Sequence, residues 1–150
     1  TEATDVARST FFSHFDNMEA LITEIASVAV KDIIDVYQQS GKSGKEGIFA
    51  LFDKLVEDTC PYPYLAVELF TNYIIKAKGK TAFYSIENLI NTDLLKEIQS
   101  NRYTRDEQTA LILGAYFGVV FQKLIKGESF DKPEDIKKLV KKHINNIIGD

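Results

Sequence analysis

The sequence is poor in the residues that interrupt helices or that build covalent and metal centres. Its 150 residues include three prolines, eight glycines, one cysteine, two histidines and no tryptophan. So few prolines and glycines permit long helices. The single cysteine, Cys60, excludes an internal disulfide and is typical of a reducing cytoplasm. With only His14 and His143 available, no zinc-ligand cluster is indicated, and we expect no cofactor.

Charge and hydrophobicity argue against three further classes of protein. The net charge of −4 argues against a generic polyanion binder. Residues 1–20 lack the basic start and apolar stretch of a signal peptide. The longest nearly uninterrupted apolar run, Ala110–Phe121, is shorter than the roughly 17–25 residues that span a bilayer. With 45% hydrophobic residues the chain can form a single-domain core, and we expect a cytoplasmic protein without membrane contact.

The apolar residues recur at helical spacing and nowhere alternate over the length of a strand, which predicts an all-α fold. Gly41–Gly44, Pro61 and Gly127 mark helix ends, and Thr104 is a candidate cap. We expect about seven helices: Ala7–His14, Asn17–Gln38, Lys45–Thr59, Tyr64–Ala77, a weaker 82–99 with a kink at 91–93, Arg105–Ile125 and Lys132–Ile148.

The N-terminal run is the most specific feature. It predicts a short helix, a tight break, and a long helix capped by Asp16 with Glu19 three residues later. A helix as short as Ala7–His14 is unstable alone. Packing must therefore hold it, and its polar outer face is a candidate for recognition.

The residues of this run resemble the end of the DNA-binding head of the tetracycline-repressor (TetR) family of bacterial transcription regulators. The match consists of Val6, Arg8, Ser9, Thr10, Phe11, Phe12, His14, Phe15, Glu19 and Leu21. The resemblance implies that residues 1–16 are the remnant of a helix-turn-helix head and that residues 17–150 form a ligand-binding and dimerising body. The chain then begins inside the second helix of that head, and we expect it to bind DNA poorly in this form.

In the intact protein, the resemblance implies that the short helix enters the major groove of operator DNA. The candidate DNA contacts are Arg8, Ser9, Thr10, Ser13 and His14. Phe12 and Met18 depart from the family pattern, where Tyr and Lys commonly contact phosphates. The alternative interpretation of these residues is a solvated polar helix face.

Aromatic residues concentrate in the middle of the chain, more densely than a helical bundle needs. Apolar walls with a few polar groups are typical of small-molecule sites, and the resemblance implies a ligand cavity in the body. An aromatic lining favours a flat or apolar effector over a sugar or an ion, while the alternative is a plain core. The candidate lining residues are Phe52, Val56, Phe70, Asn72, Tyr73, Phe83, Tyr84, Tyr116, Phe117 and Gln122.

The helix Arg105–Ile125 is apolar nearly all round, so it must be buried on most sides. Two glycines four residues apart allow close helix approach, and the resemblance implies a homodimer formed by the last two helices. The alternative is a buried central helix in a monomer. The candidate interface residues are Gly114, Gly118, Phe121, Leu139, Val140, His143, Ile144 and Ile147.

The last helix also has a charged face opposite its apolar stripe. The lysines at 137, 138, 141 and 142 are predicted to form this face and to be solvated.

The resemblance thus implies a transcription regulator, a repressor that releases its operator when a small apolar or aromatic ligand binds the body. The alternative is a helical protein-interaction or ligand-carrier module without DNA binding. An enzyme is not expected, because no paired acid and base converge on the predicted cavity. The ligand, the operator and the choice between repression and activation are not encoded in any motif of the sequence.

Overall fold

The structure, a computed structural model, describes the backbone of residues 2–77 and 82–149 and the side chains of residues 17, 18, 20–71 and 83–149. The described residues are mostly helical and include no strand, as the apolar spacing predicted. The six α-helices are α1 (Glu2–Ser40), α2 (Gly44–Thr59), α3 (Pro63–Ala77), α4 (Ala82–Asn88), α5 (Arg105–Lys126) and α6 (Pro133–Ile148). A π-helical turn at Leu89–Leu94 and a 3₁₀ turn at Leu95–Glu97 follow α4.

The predicted break near residue 16 is wrong, because α1 continues without interruption through 39 residues. No glycine or proline lies between Glu2 and Ser40. Asp16 and Asn17 are only mildly unfavourable inside a helix, and a cap-like spacing acts as a cap only where the backbone turns. The predicted short helix and the helix after it are therefore one rod, and the described residues form six α-helices rather than seven.

Three of the other predicted helix boundaries are confirmed by local geometry. Gly41 and Gly44 adopt left-handed φ values of 70° and 56°, which separates α1 from α2. The Thr104 hydroxyl accepts from the Glu107 backbone N–H while the Glu107 carboxylate accepts from the Thr104 N–H, a complete capping box at the start of α5. Gly127, also left-handed, ends α5. The predicted kink at 91–93 lies inside the π-helical turn.

The core lies where α2 packs between α1 and α6, with α5 against α6. Ile33, Leu51, Leu55, Ile112 and Ile144 are wholly buried there. These side chains recur at helical spacing on their own helices, which is why each helix has one face directed inward. Burial of this apolar face supplies the main stabilisation of the fold.

Ion pairs join α6 to α2 along the edge of the core. The buried Lys137 donates to the carboxylates of Glu57 and Glu134, and the Lys141 ammonium lies 3.2 Å from an Asp53 carboxylate oxygen. Burial alone would lower the pKa of Lys137, but the hydrogen bonds that its ammonium donates to the two carboxylates raise that pKa overall. The predicted solvated lysine face is therefore wrong for Lys137, which is buried, and holds for the exposed Lys138 and Lys142.

Candidate functional site

Six of the predicted ligand-lining residues meet at the centre of the bundle. Phe52, Val56, Phe70, Phe83 and Tyr116 are buried and Phe117 is half-buried. Successive ring centroids are 6.2 Å apart for Phe52–Tyr116, 5.1 Å for Tyr116–Phe117, 5.7 Å for Phe117–Phe83 and 5.1 Å for Phe83–Phe70. These separations are those of aromatic rings in direct contact. The rings therefore form a continuous aromatic cluster joining α2, α3, α4 and α5.

Two other predicted lining residues lie at the surface, and two fall outside the described side chains. Tyr84 is 54% exposed and Gln122 is also exposed. Tyr84 directly follows the buried Phe83 on its helix, and consecutive side chains point about 100° apart. The side chains of Asn72 and Tyr73 lie outside the described residues.

A polar pair lies inside the aromatic cluster. The Thr59 hydroxyl donates to the Leu55 carbonyl at 2.7 Å, so the Tyr116 hydroxyl, which is also bonded to Thr59, must be the donor in that second bond. Burial raises the pKa of Tyr116 even though its bond to Thr59 opposes the shift, so the phenol stays protonated. Thr59 was not predicted as a site residue, and no sequence signal distinguishes it from an ordinary helix-end threonine.

Cys60 follows Thr59 at the end of α2 and is buried with its thiol free. Burial raises the pKa of this thiol, although Lys137 and Lys123 partly oppose the shift. A thiol with a raised pKa carries little thiolate at neutral pH. The position is therefore that of a small core residue rather than of a nucleophile.

The predicted interface residues divide into two groups. On α5, Gly114, Gly118 and Phe121 are exposed, and so are Leu111 and Ile125 on the same helix. We call these five residues the outer face of α5. A methyl group built on Gly114 or Gly118 would meet no atom within 4 Å, so the fold of the single chain does not require glycine at either position.

On α6 the prediction needs correction. Val140 and Ile144 are wholly buried in the chain's own core, where they pack with α2 and α5, so they are not available to a partner. Leu139 and His143 are exposed, and Ile147 is half-buried. The apolar stripe of α6 therefore serves mainly the core of its own chain.

The predicted DNA-contacting residues lie on the N-terminal part of α1. The side chains of Arg8, Ser9, Thr10, Ser13 and His14 are outside the described residues, while the backbone there is helical. Further along α1, a stripe of apolar residues is exposed at helical spacing: Met18, Leu21, Ile25 and Val28. An open cleft of about 490 Å³ borders this stripe between α1 and the end of α2.

Among the described helices, α5 is long and apolar enough to cross a membrane by length and composition. The core helix of a soluble protein meets the same criterion. In α5, 33% of the most apolar stretch is buried inside the chain. The expectation of a cytoplasmic protein without membrane contact stays a prediction.

Comparisons of the chain with protein-family models, with curated proteins and with solved structures found no match.

Proposed function

We propose that this chain is the body, with part of the head, of a dimeric DNA-binding transcription regulator of the TetR type that releases its operator when an apolar or aromatic ligand binds. The observation that carries the proposal is the outer face of α5, an apolar helix surface with two glycines that its own chain leaves uncovered. Such a face fits a second copy related by two-fold symmetry. A two-fold pair would also present two recognition segments to a palindromic operator.

In this proposal, the continuous helix α1 transmits a change in the body to the residues that contact DNA. Ala26, Val30, Ile33 and Tyr37 are buried on its inner side, and α1 packs against α2, α3 and α4. A rearrangement of the aromatic cluster would therefore tilt the rod that carries residues 8–14. Ligand and operator would be coupled if the ligand binds the two tilts with different affinity.

The ligand would enter the aromatic cluster beside Phe117, the half-buried ring that bridges Phe83 and the exposed Phe121. The Tyr116–Thr59 pair supplies the polar group at the buried end of the aromatic cluster. This combination favours a small aromatic effector with one hydrogen-bonding group.

The test is selection from a random duplex-DNA library with the natural full-length protein, followed by measurement of affinity for the selected sequence. We expect a palindromic sequence, and Arg8→Ala should lower affinity by about 1–3 kcal/mol if Arg8 contacts a base. Arg102→Ala is the matched control, because it removes the same charge from an exposed loop residue. Equal affinities of both variants, or no enriched sequence, would contradict the DNA contact.

The alternative, an interaction module without DNA binding, is favoured by two observations on α1. The helix lacks the break that the family pattern implies, and it exposes an apolar stripe at Leu21, Ile25 and Val28. A continuous amphipathic rod of this kind can lay an apolar face against a partner helix. The same selection distinguishes the two functions, since this module would enrich no DNA sequence.

A further inference from the structure

The open cleft between α1 and the end of α2 combines apolar and acidic side chains. It has a volume of about 490 Å³ and is lined by Glu24, Ile25, Val28, Ala29, Asp32 and Asp58. Three of these residues are apolar and three are carboxylates, and no described cation is among them. A partner that covers the cleft must therefore bring apolar groups and also neutralise negative charge.

The apolar side of the cleft belongs to a longer exposed stripe on α1. Met18, Leu21, Ile25 and Val28 are all exposed, at intervals of three, four and three residues. This is the spacing at which the apolar seam of one helix packs against another helix in a coiled coil. The stripe runs about two helical turns beyond the cleft toward the N-terminus. Its length and spacing therefore fit a helix better than a compact ligand.

The chain itself neutralises the carboxylates of the cleft only in part. The Lys54 ammonium lies 2.8 Å from an Asp58 oxygen and 3.3 Å from an Asp32 oxygen, so one cation serves two carboxylates. Glu24 is exposed and forms no ion pair with any described residue. Negative charge is therefore in excess at the cleft even after the Lys54 ion pairs are counted. Complementary charge steers and selects a partner, so this excess favours a cationic one.

Asp32 lies where the stripe would place its next apolar residue. It follows Val28 by four residues, in step with the same spacing, and its side chain is 59% exposed despite the contact with Lys54. A polar residue in a helix–helix seam fixes the register of the two helices. A matching helix would place apolar residues opposite Ile25 and Val28 and a basic residue opposite Asp32.

We propose that the cleft between α1 and α2 is a docking site for a basic amphipathic helix of another protein. The apolar face of that helix would lie on Ile25, Val28 and Ala29, and its lysines or arginines would pair with Glu24 and with the carboxylates that share Lys54. The proposal stands whether or not the protein binds DNA, because it uses none of the predicted DNA contacts.

The experiment is a calorimetric titration of the natural full-length protein with two synthetic amphipathic helical peptides. Both peptides have isoleucine and leucine at the seam positions, and the flanking positions are lysine in one and glutamate in the other. We expect saturable binding of the lysine peptide that weakens as salt is added. The glutamate peptide should bind at least about tenfold more weakly. Equal affinity for the two peptides, or no binding of the lysine peptide, would overturn the proposal.

Two pairs of variants locate the peptide on the protein. Val28→Lys should weaken binding of the lysine peptide about tenfold or more, since it removes an apolar contact and adds a like charge. Leu65→Lys makes the same change at an exposed residue of α3 and should leave binding unchanged. Glu24→Gln should weaken binding by about threefold, the usual size for one exposed ion pair, and Glu46→Gln is its exposed control on α2. Equal weakening within either pair would overturn the site.

Thiol labelling of Val28→Cys shows whether something else already covers the cleft. The natural Cys60 is buried, so the new thiol should react first. We expect rapid labelling of the full-length protein that the lysine peptide slows, and labelling of Leu65→Cys that the peptide does not change. Slow labelling without peptide at every protein concentration would mean that the protein's own chain covers the cleft. Labelling that slows as protein concentration rises would mean that a second copy covers it, and either result would overturn the proposal.

Discussion

The two faces of α5 are both apolar but have opposite surroundings. The inner face, with Ile112, Tyr116, Val119 and Val120, is buried against the rest of the chain. The outer face, with Leu111, Gly114, Gly118, Phe121 and Ile125, is exposed. An apolar all-round helix is expected to be covered on most sides. The difference shows that the chain meets this requirement on one side only, so the other side is where a partner is expected.

The largest effect should come from the same substitution made on both faces. Ile112 is 0% exposed and Ile125 is 84% exposed on the same helix. Ile112→Ala should lower the free energy of unfolding by about 2–5 kcal/mol, because it removes buried methyl groups and leaves a cavity. Ile125→Ala should change it by less than about 0.5 kcal/mol. Urea denaturation of both variants at low protein concentration measures the two values, and similar losses would contradict the assignment of faces.

The polar pair on the inner face gives the next largest effect. Thr59→Val leaves the buried Tyr116 hydroxyl without an acceptor and should cost about 1–3 kcal/mol. Tyr116→Phe leaves the Thr59 hydroxyl bonded to Leu55 and should cost only about 0.5–1.5 kcal/mol. Denaturation of the two single variants and of the double variant measures the asymmetry. A larger loss in Tyr116→Phe would mean that the hydrogen-bond directions are reversed.

Both faces of α5 belong to one helix, so loss of its N-terminal capping box should destabilise them together. Thr104→Ala should cost about 1 kcal/mol, the usual value for a lost N-cap. The backbone and side-chain hydrogen bonds with Thr104 lower the pKa of Glu107 below its usual 4.5. The stabilisation that the ionised Glu107 gives the cap is therefore fully present above pH 4.5. It is lost as the pH falls through the lower pKa that Glu107 has in the folded state.

Unfolding measured from pH 7 to pH 3 tests this dependence. Glu107→Gln keeps an acceptor for the Thr104 N–H and is the matched control, because its cap should no longer respond to pH in this range. An acid response that Glu107→Gln leaves unchanged would assign the effect to another carboxylate.

The helical class and most helix ends were predictable because their causes are local. The capping box at Thr104, the left-handed glycines at 41 and 127 and the prolines after α2 each act within a few residues. The break near Asp16 was predicted on the same local grounds and was wrong. A cap signal permits a helix to start but does not force one to end, and no helix-breaking residue precedes Asp16.

The candidate sites were less predictable because they depend on tertiary packing. The spacing on α6 assigns Leu139, Val140 and Ile144 to one stripe, yet only contact with α2 decides that Val140 and Ile144 are covered and Leu139 is not. Thr59 and Tyr116 are separated by 57 residues, so no motif groups them. Their hydrogen bond exists only because the end of α2 packs against α5.

The smallest expected change in stability tests the outer face most directly. Gly114→Ala and Gly118→Ala should each raise the free energy of unfolding of the single chain by about 0.5–1 kcal/mol, because the new methyl group meets no atom and alanine favours helix. If a second copy packs closely on the two glycines, the same methyl groups hold the helices apart and weaken self-association. Denaturation at low concentration should then show higher stability, while sedimentation equilibrium across a concentration series should show weaker self-association.

Gly47→Ala is the contrast: its methyl group would lie 2.8 Å from Leu94 and should destabilise the single chain. A wild-type chain that stays monomeric at every concentration, or alanine variants that associate as strongly as wild type, would assign the outer face to some partner other than a second copy.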